Sequence, residues 1–414
     1  MNSGTSDFLN ASRWTAAFFV VFYHVYNLSI ASHQASMPFA LFFRALHFFG
    51  GFGHIAVIVF FVISGFLIGG RTILNLHVRG FNLTDYFVHR FSRIYTVFIP
   101  ALAIGYLIDW CGAQFFDASR IYNYPDQFYT NAFGNDISTH LSLNTFVGNL
   151  LQLQSITVSV LGSNGPLWSL ANEWWYYVLF GCGVIVSRAG PVSSRVIAGV
   201  IILTMIFVLP LTVSLWFTIW VLGAGVAVMD RYWRGWPFFY GATIAVICLA
   251  AVRFITAREV STGIVSDFTQ DLVVALGFSA ALLCAKNSRR LGKFRTFHRD
   301  FASFSYTVYL VHFPVMVFLA AMMKDVLHIG FLRQPSVGAL AYATALLLII
   351  YGYARVFAAL TEAHTDTIRS RLSLFASALR HRAISMAHAR LGSASAPGFE
   401  PGIKAALGRP PSPR

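Results

Sequence analysis

Arg13 and His24 stand eleven residues apart in FLNASRWTAAFFVVFYHVYNLSI, Phe8 to Ile30. The stretch is apolar and long enough to cross a bilayer. Eleven steps of about 100° bring an α-helix back to nearly the same face, so the two side chains share one stripe, roughly 16 Å apart along the axis. Ionisable groups are costly in hydrocarbon, which makes each a functional candidate. A guanidinium near the membrane surface can grip an anionic group, and an imidazole deeper in can take up a proton near neutral pH. The pair suits a ligand lying along the helix. It also suits a snorkelling arginine and a hydrogen-bonding strut between helices.

Further cations lie at the same membrane level. Arg71 ends SGFLIGGR (Ser64 to Arg71), where three glycines let helices approach closely. Arg90 and Arg93 are three apart and so neighbours on one helical face. A packing seam and a positive cytoplasmic flank would account for these residues. Together with Arg13, they would also form a mouth for a multiply phosphorylated cytosolic ligand, because guanidinium groups hold phosphate through paired hydrogen bonds.

In GPLWSLANEWWYYVLF, Gly165 to Phe180, Glu173 is a carboxylate in an aromatic setting near the external side. Trp168, Asn172 and Tyr176 beside it could hydrogen-bond a polar acceptor. His312 sits within SYTVYLVHFPVMV. Paired histidines on helices can ligate haem, but no second histidine is spaced along the span of His24 or of His312. Cys111, Cys182, Cys248 and Cys284 are scattered, without the spacing of a zinc site or disulfide framework.

The elements that must position these residues are membrane helices. The chain has 414 residues, 57% hydrophobic and only 11% charged, against about 25% charged in soluble domains. An all-α polytopic membrane protein is expected, with about ten spans near 11–30, 51–70, 91–110, 168–187, 196–210, 213–229, 238–257, 268–286, 304–324 and 337–360. The first is expected to be retained rather than cleaved. The net charge of +14 points to orientation rather than to nucleic acid. Basic residues gather on alternate connections, which puts both termini in the cytoplasm and leaves Arg44, Arg120, Arg253, Arg258, Lys324 and Arg333 outside.

The external connection near 111–165 is kept off the count, because Asn149, Gln152, Gln154 and Ser155 would be costly facing lipid. The chain then divides into a membrane domain, 1–361, and a basic cytoplasmic tail, 362–414. In the tail Leu372, Phe375, Leu379 and Met386 recur opposite Arg371, Arg380, Arg382 and Arg390, a pattern that suits an anionic lipid surface. From Ser393 the composition is that of a disordered segment.

These pieces, in this order, resemble acyltransferase family 3, integral membrane O-acyltransferases that modify bacterial polysaccharides and other hydroxyl-bearing molecules. The resemblance covers roughly residues 8–360. It rests on the Arg13–His24 spacing, FFVISGFLIGGR, Arg90-x-x-Arg93, WSLANE ending at Glu173, and YLVHFP containing His312. It implies a multi-pass protein of the bacterial inner membrane. Arg13, Arg71, Arg90 and Arg93 would hold acyl-coenzyme A, with acetyl expected, and His24 would be the essential histidine and general base. Glu173 would orient the acceptor or the histidine. A sugar, glycan or glycosylated small molecule would be acylated near Trp168, Asn172, Tyr176 and His312, and no metal is implied. Asn10-Ala11-Ser12 replaces the Asp-Gly usual before the arginine, and Trp174, Trp175, Tyr176 and Tyr177 are bulkier than is typical. The competing class is a transporter or flippase using the same Arg, His and Glu as a substrate or proton pathway.

Overall fold

The computed structural model describes residues 2–30, 40–123, 136–233, 235–256, 263–288, 291–329 and 335–394. Arg258, Arg333 and the tail beyond Ala394 lie outside them. The described chain is helical, with one isolated bridge between Gln154 and Val158. In order the helices are α1 Ser3–Ser29, α2 Ala40–Gly50, α3 Gly53–Ser64, α4 Arg71–Arg79, α5 Leu83–Phe115, α6 Leu143–Leu150, α7 Trp168–Ser187 and α8 Val192–Val208. There follow α9 Leu211–Tyr232, α10 Phe238–Thr256, α11 Ile264–Cys284, α12 Arg295–Ser303, α13 Ser305–Val326, α14 Val337–Leu360 and α15 Thr365–Ala394.

Helices cover each expected span, but seven stretches among the described residues are long and apolar enough to cross a membrane: 41–76, 83–115, 211–232, 238–255, 264–287, 305–326 and 337–382. α8 is apolar but short. α1 and α7 are not among the seven. Their polar residues, Asn10, Ser12, Arg13 and His24 in one and Asn172, Glu173 and the tyrosines in the other, lower their hydropathy.

α1 is central and packs against α3, α12, α13 and α14. Two polar clasps hold its start to α12. Arg295 donates Nε and Nη2 to the buried Asp7 carboxylate, both at 2.9 Å, and Trp14 Nε1 donates to His298 Nδ1 at 3.0 Å. Between α3 and α4 the backbone runs as a π-helix, Gly65–Gly70. Here the glycine seam is a steric requirement. A Cβ on Gly65 would lie 1.8 Å from the Trp220 carbonyl oxygen, and one on Gly70 would lie 2.1 Å from Ala227 Cβ. α9 therefore lies directly on this segment, and large side chains there are excluded.

The end of α6 and the segment after it turn their amides inward. Asn149, Gln152 and Gln154 are fully buried. Asn149 Nδ2 donates to the Thr145 and Ser159 carbonyls, and Gln154 Nε2 donates to the Leu167 carbonyl. The loop is latched to α5 by Asp109, whose carboxylate accepts Ser163 N–H at 2.7 Å and Ser163 Oγ–H at 2.9 Å. This latch fixes where α7, and with it Trp168 to Tyr177, begins.

Candidate active site

Three helices, α1, α4 and α5, bring Arg13, Arg71, Arg90 and Arg93 to the wall of one cavity of about 440 Å³. Glu173 lines the same cavity rather than standing apart from the arginines at the opposite end. Arg93 Nη1 pairs with Glu362 Oε1 at 2.8 Å, and its guanidinium lies 5.3 Å from the Tyr306 ring centroid. Glu362 Oε2 also accepts the Thr307 hydroxyl at 2.7 Å. Arg90 lies over Tyr86 at 4.9 Å, and its Nε is buried without a hydrogen-bond partner. A neighbouring cavity of about 570 Å³ shares Arg93, Ser303 and Glu362 and adds Arg355 and Arg369. Guanidinium groups converging from separate helices have the chemistry to hold a polyanion.

Glu173 terminates a directional chain. Trp220 Nε1 donates to Ser64 Oγ at 3.0 Å, Ser64 Oγ is 3.2 Å from Tyr177 OH, and Tyr177 OH donates to Glu173 Oε1 at 2.5 Å. With the tryptophan only a donor and the carboxylate only an acceptor, the two hydroxyls each pass a donor forward. α3, α7 and α9 are tied together by this chain at the cavity wall.

A family model described as an acyltransferase domain matches residues 6–355. The chain belongs to that family. It is also similar to a protein of Shigella phage Sf6 named O-acetyl transferase, 26% identical over 341 residues, 79% of this chain and 88% of the relative. An uncharacterized protein of Haemophilus influenzae is 32% identical over 126 residues, 30% of this chain and 45% of that protein. No solved structure matches the chain. The protein is thus an acyltransferase, an enzyme carrying the helices of a multi-pass membrane protein.

Within this acyltransferase, the other expected residues fall into three places. His24 and His312 face each other with ring centroids 5.4 Å apart, and Phe313 packs at 4.8 Å from His24. No porphyrin fits between rings so close. His312 Nδ1 lies 2.8 Å from the Tyr309 carbonyl and 3.1 Å from the Val308 carbonyl. It therefore carries the proton, leaving Nε2 as an acceptor, buried and without a partner. Neither histidine lines the arginine cavity. Tyr309 does, and its ring is 6.1 Å from His312.

Trp168 and Asn172 line a different cavity, on a stripe of α7 turned about 100° from that of Ser169 and Glu173. Tyr176 lines neither. It is fully buried, its ring against Phe61 and Phe217.

Residues that sequence reasoning passed over include Glu362, taken only as the boundary of the tail, and Tyr306 and Tyr309. His54 and Asp271 were passed over too. Asp271 carried a readable signal, a carboxylate within FTQDLVVAL, of the same kind that singled out His24. His54, at a helix start, carried none.

Proposed function

We propose that the protein moves an acyl group, expected to be acetyl, from cytoplasmic acyl-coenzyme A to a hydroxyl of a sugar or glycan, in the bacterial inner membrane. The observation that carries the reading is the convergence of Arg13, Arg71 and the Arg90–Arg93 pair, from three separate helices, on one cavity. Coenzyme A is an anion at its diphosphate and 3′-phosphate and less polar along its arm, and this cavity is lined both by the four arginines and by Val57, Phe60, Phe61 and Leu67. The similarity to a protein named O-acetyl transferase supports acetyl as the group and oxygen as the acceptor atom.

On this reading both termini are cytoplasmic, and the tail from residue 362 lies on the lipid surface. The pantetheine arm runs along α1, past Phe60 and Tyr309, toward His24. The acceptor hydroxyl gives its proton to His24 as its oxygen attacks the thioester carbonyl. The carbon–sulfur bond then breaks, and the thiolate regains a proton from the imidazolium, yielding ester and free coenzyme A. His312 Nε2 accepts a hydrogen bond at the same level, Trp168 and Asn172 contact the acceptor, Tyr176 supports the wall, and Glu173 orients the reacting groups.

The test is transfer of radiolabelled acetyl from acetyl-coenzyme A to glycan prepared from a strain lacking the gene. Wild-type protein should label the glycan, and His24→Ala should not, while still binding coenzyme A. Full turnover by a folded His24→Ala variant would remove His24 as the base. Movement of unmodified substrate across proteoliposomes, with no label transferred, would replace the reading with a transporter.

A further inference from the structure

At the end of the bundle away from the arginines lies a second cavity of about 490 Å³, walled by α3, α7, α9 and α11. We infer that it is the acceptor subsite and takes a neutral sugar. This rests on the acyltransfer reading above. The cavity contains a prearranged polar pair. His54 Nε2 is 2.8 Å from Asp271 Oδ2, and Trp216 Nε1 donates to the same oxygen at 2.7 Å. Asp271 is buried, whereas the His54 side chain is 52% exposed. The carboxylate holds the imidazole by Nε2 and leaves Nδ1 to bond a ligand hydroxyl, as acceptor from the neutral ring or donor from the protonated one.

The remaining lining has the chemistry of sugar recognition. Trp168 lies nearly parallel to His54, with centroids 6.3 Å apart and planes 16° apart, and gives an aromatic surface for the C–H face of a pyranose. Asn172 and Gln270 offer amides that both donate and accept, and Asp267 and Asp271 offer carboxylates. Every sugar hydroxyl also donates and accepts, so a site of this kind selects ligands by their hydroxyl pattern. The charge is opposite to that of the arginine cavity. Two carboxylates disfavour a phosphorylated ligand here, which keeps coenzyme A on its own side.

The partition between the two cavities is thin. Phe61, lining the arginine cavity, and Trp168, lining the second, are in ring contact at 6.3 Å and 83°. On α7 the neighbouring Ser169, which faces the arginine cavity, bonds Tyr309 OH at 2.6 Å, and Tyr309 touches His312. A hydroxyl entering from one cavity and a thioester from the other would meet at this wall, at the level of the histidine pair.

The test uses purified full-length protein in detergent with labelled acetyl-coenzyme A and glycan from a strain lacking the gene. Trp168→Ala and Asp271→Asn should each raise the apparent KM for glycan at least about tenfold, while the Kd for coenzyme A changes less than about twofold. Should Asp271→Asn fail to fold, His54→Gln, which keeps a donor toward Asp271, and Gln270→Ala replace it, with the same direction expected. An unchanged glycan KM in folded variants overturns the subsite. So does loss of coenzyme A binding without a change in glycan KM. Failure of the wild type to label any glycan removes the acyltransfer reading itself and the subsite with it.

Discussion

Arg90 and Arg93 are neighbours on one face of α5, yet their surroundings differ in a way that makes the donor site testable. Arg93 is already engaged by Glu362 at 2.8 Å, whereas Arg90 has a buried Nε with no partner. If phosphate docks here, Arg90→Ala removes one charge-assisted hydrogen-bonding group, about 1.5–3 kcal/mol. That is roughly a 10- to 150-fold rise in the Kd for coenzyme A. The lost stacking on Tyr86 is worth only about 0.5–1 kcal/mol, so the variant should still fold. Arg93→Ala should weaken binding further, because it also leaves the Glu362 carboxylate unopposed beside the phosphates. Glu362→Gln should do the reverse and tighten binding, since Arg93 is then released while Thr307 can still donate to the amide oxygen. The expected order of Kd is Glu362→Gln, wild type, Arg90→Ala, Arg93→Ala, from tightest to weakest. Calorimetric titration with coenzyme A needs no acceptor and reads this order directly. A Kd for Arg90→Ala within about threefold of wild type, with unchanged melting, refutes the phosphate assignment.

Two structural predictions accompany it. Gly65→Ala places a methyl against the Trp220 carbonyl oxygen. Overpacking of this kind costs about 1–3 kcal/mol and, spread over the unfolding entropy of so long a chain, should lower the melting temperature by roughly 1–3 °C. Gly183→Ala, where a Cβ meets nothing within 4 Å, should leave it unchanged, and equal melting of the two variants in a thermal scan would contradict the close α9 contact. Asp109→Ala strips both acceptors from Ser163 and leaves a buried N–H unpaired. It should destabilise the protein by about 2–5 kcal/mol, with Asp109→Asn milder. Chemical denaturation checks this, and a change under about 0.5 kcal/mol would show that the latch does not hold the loop.

A great deal was legible because the membrane makes exceptions conspicuous. Arg13, His24, Glu173 and His312 stand out in apolar runs, and their order along the chain carried the family resemblance. The glycines of Ser64 to Arg71 announced a close helix contact, and Gly65 against Trp220 is that contact. The amides of 149–154, read as too polar for lipid, are buried against protein.

Sequence alone therefore determined the helical, membrane-spanning class and the polar residues that had to be accommodated, since hydrocarbon leaves unpaired backbone and side-chain polar groups no other recourse. Which of those residues meet was decided by the tertiary structure. The rotation of α7 puts Glu173 with the arginines and Trp168 with His54 and Asp271. The docking of α13 on α1 sets His312 against His24, and the turn after α14 returns Glu362 to Arg93. Such pairings depend on how helices far apart in the chain are rotated about their axes when they pack, and an apolar surface that fits lipid as well as a neighbouring helix leaves no mark of that rotation in the order of the residues.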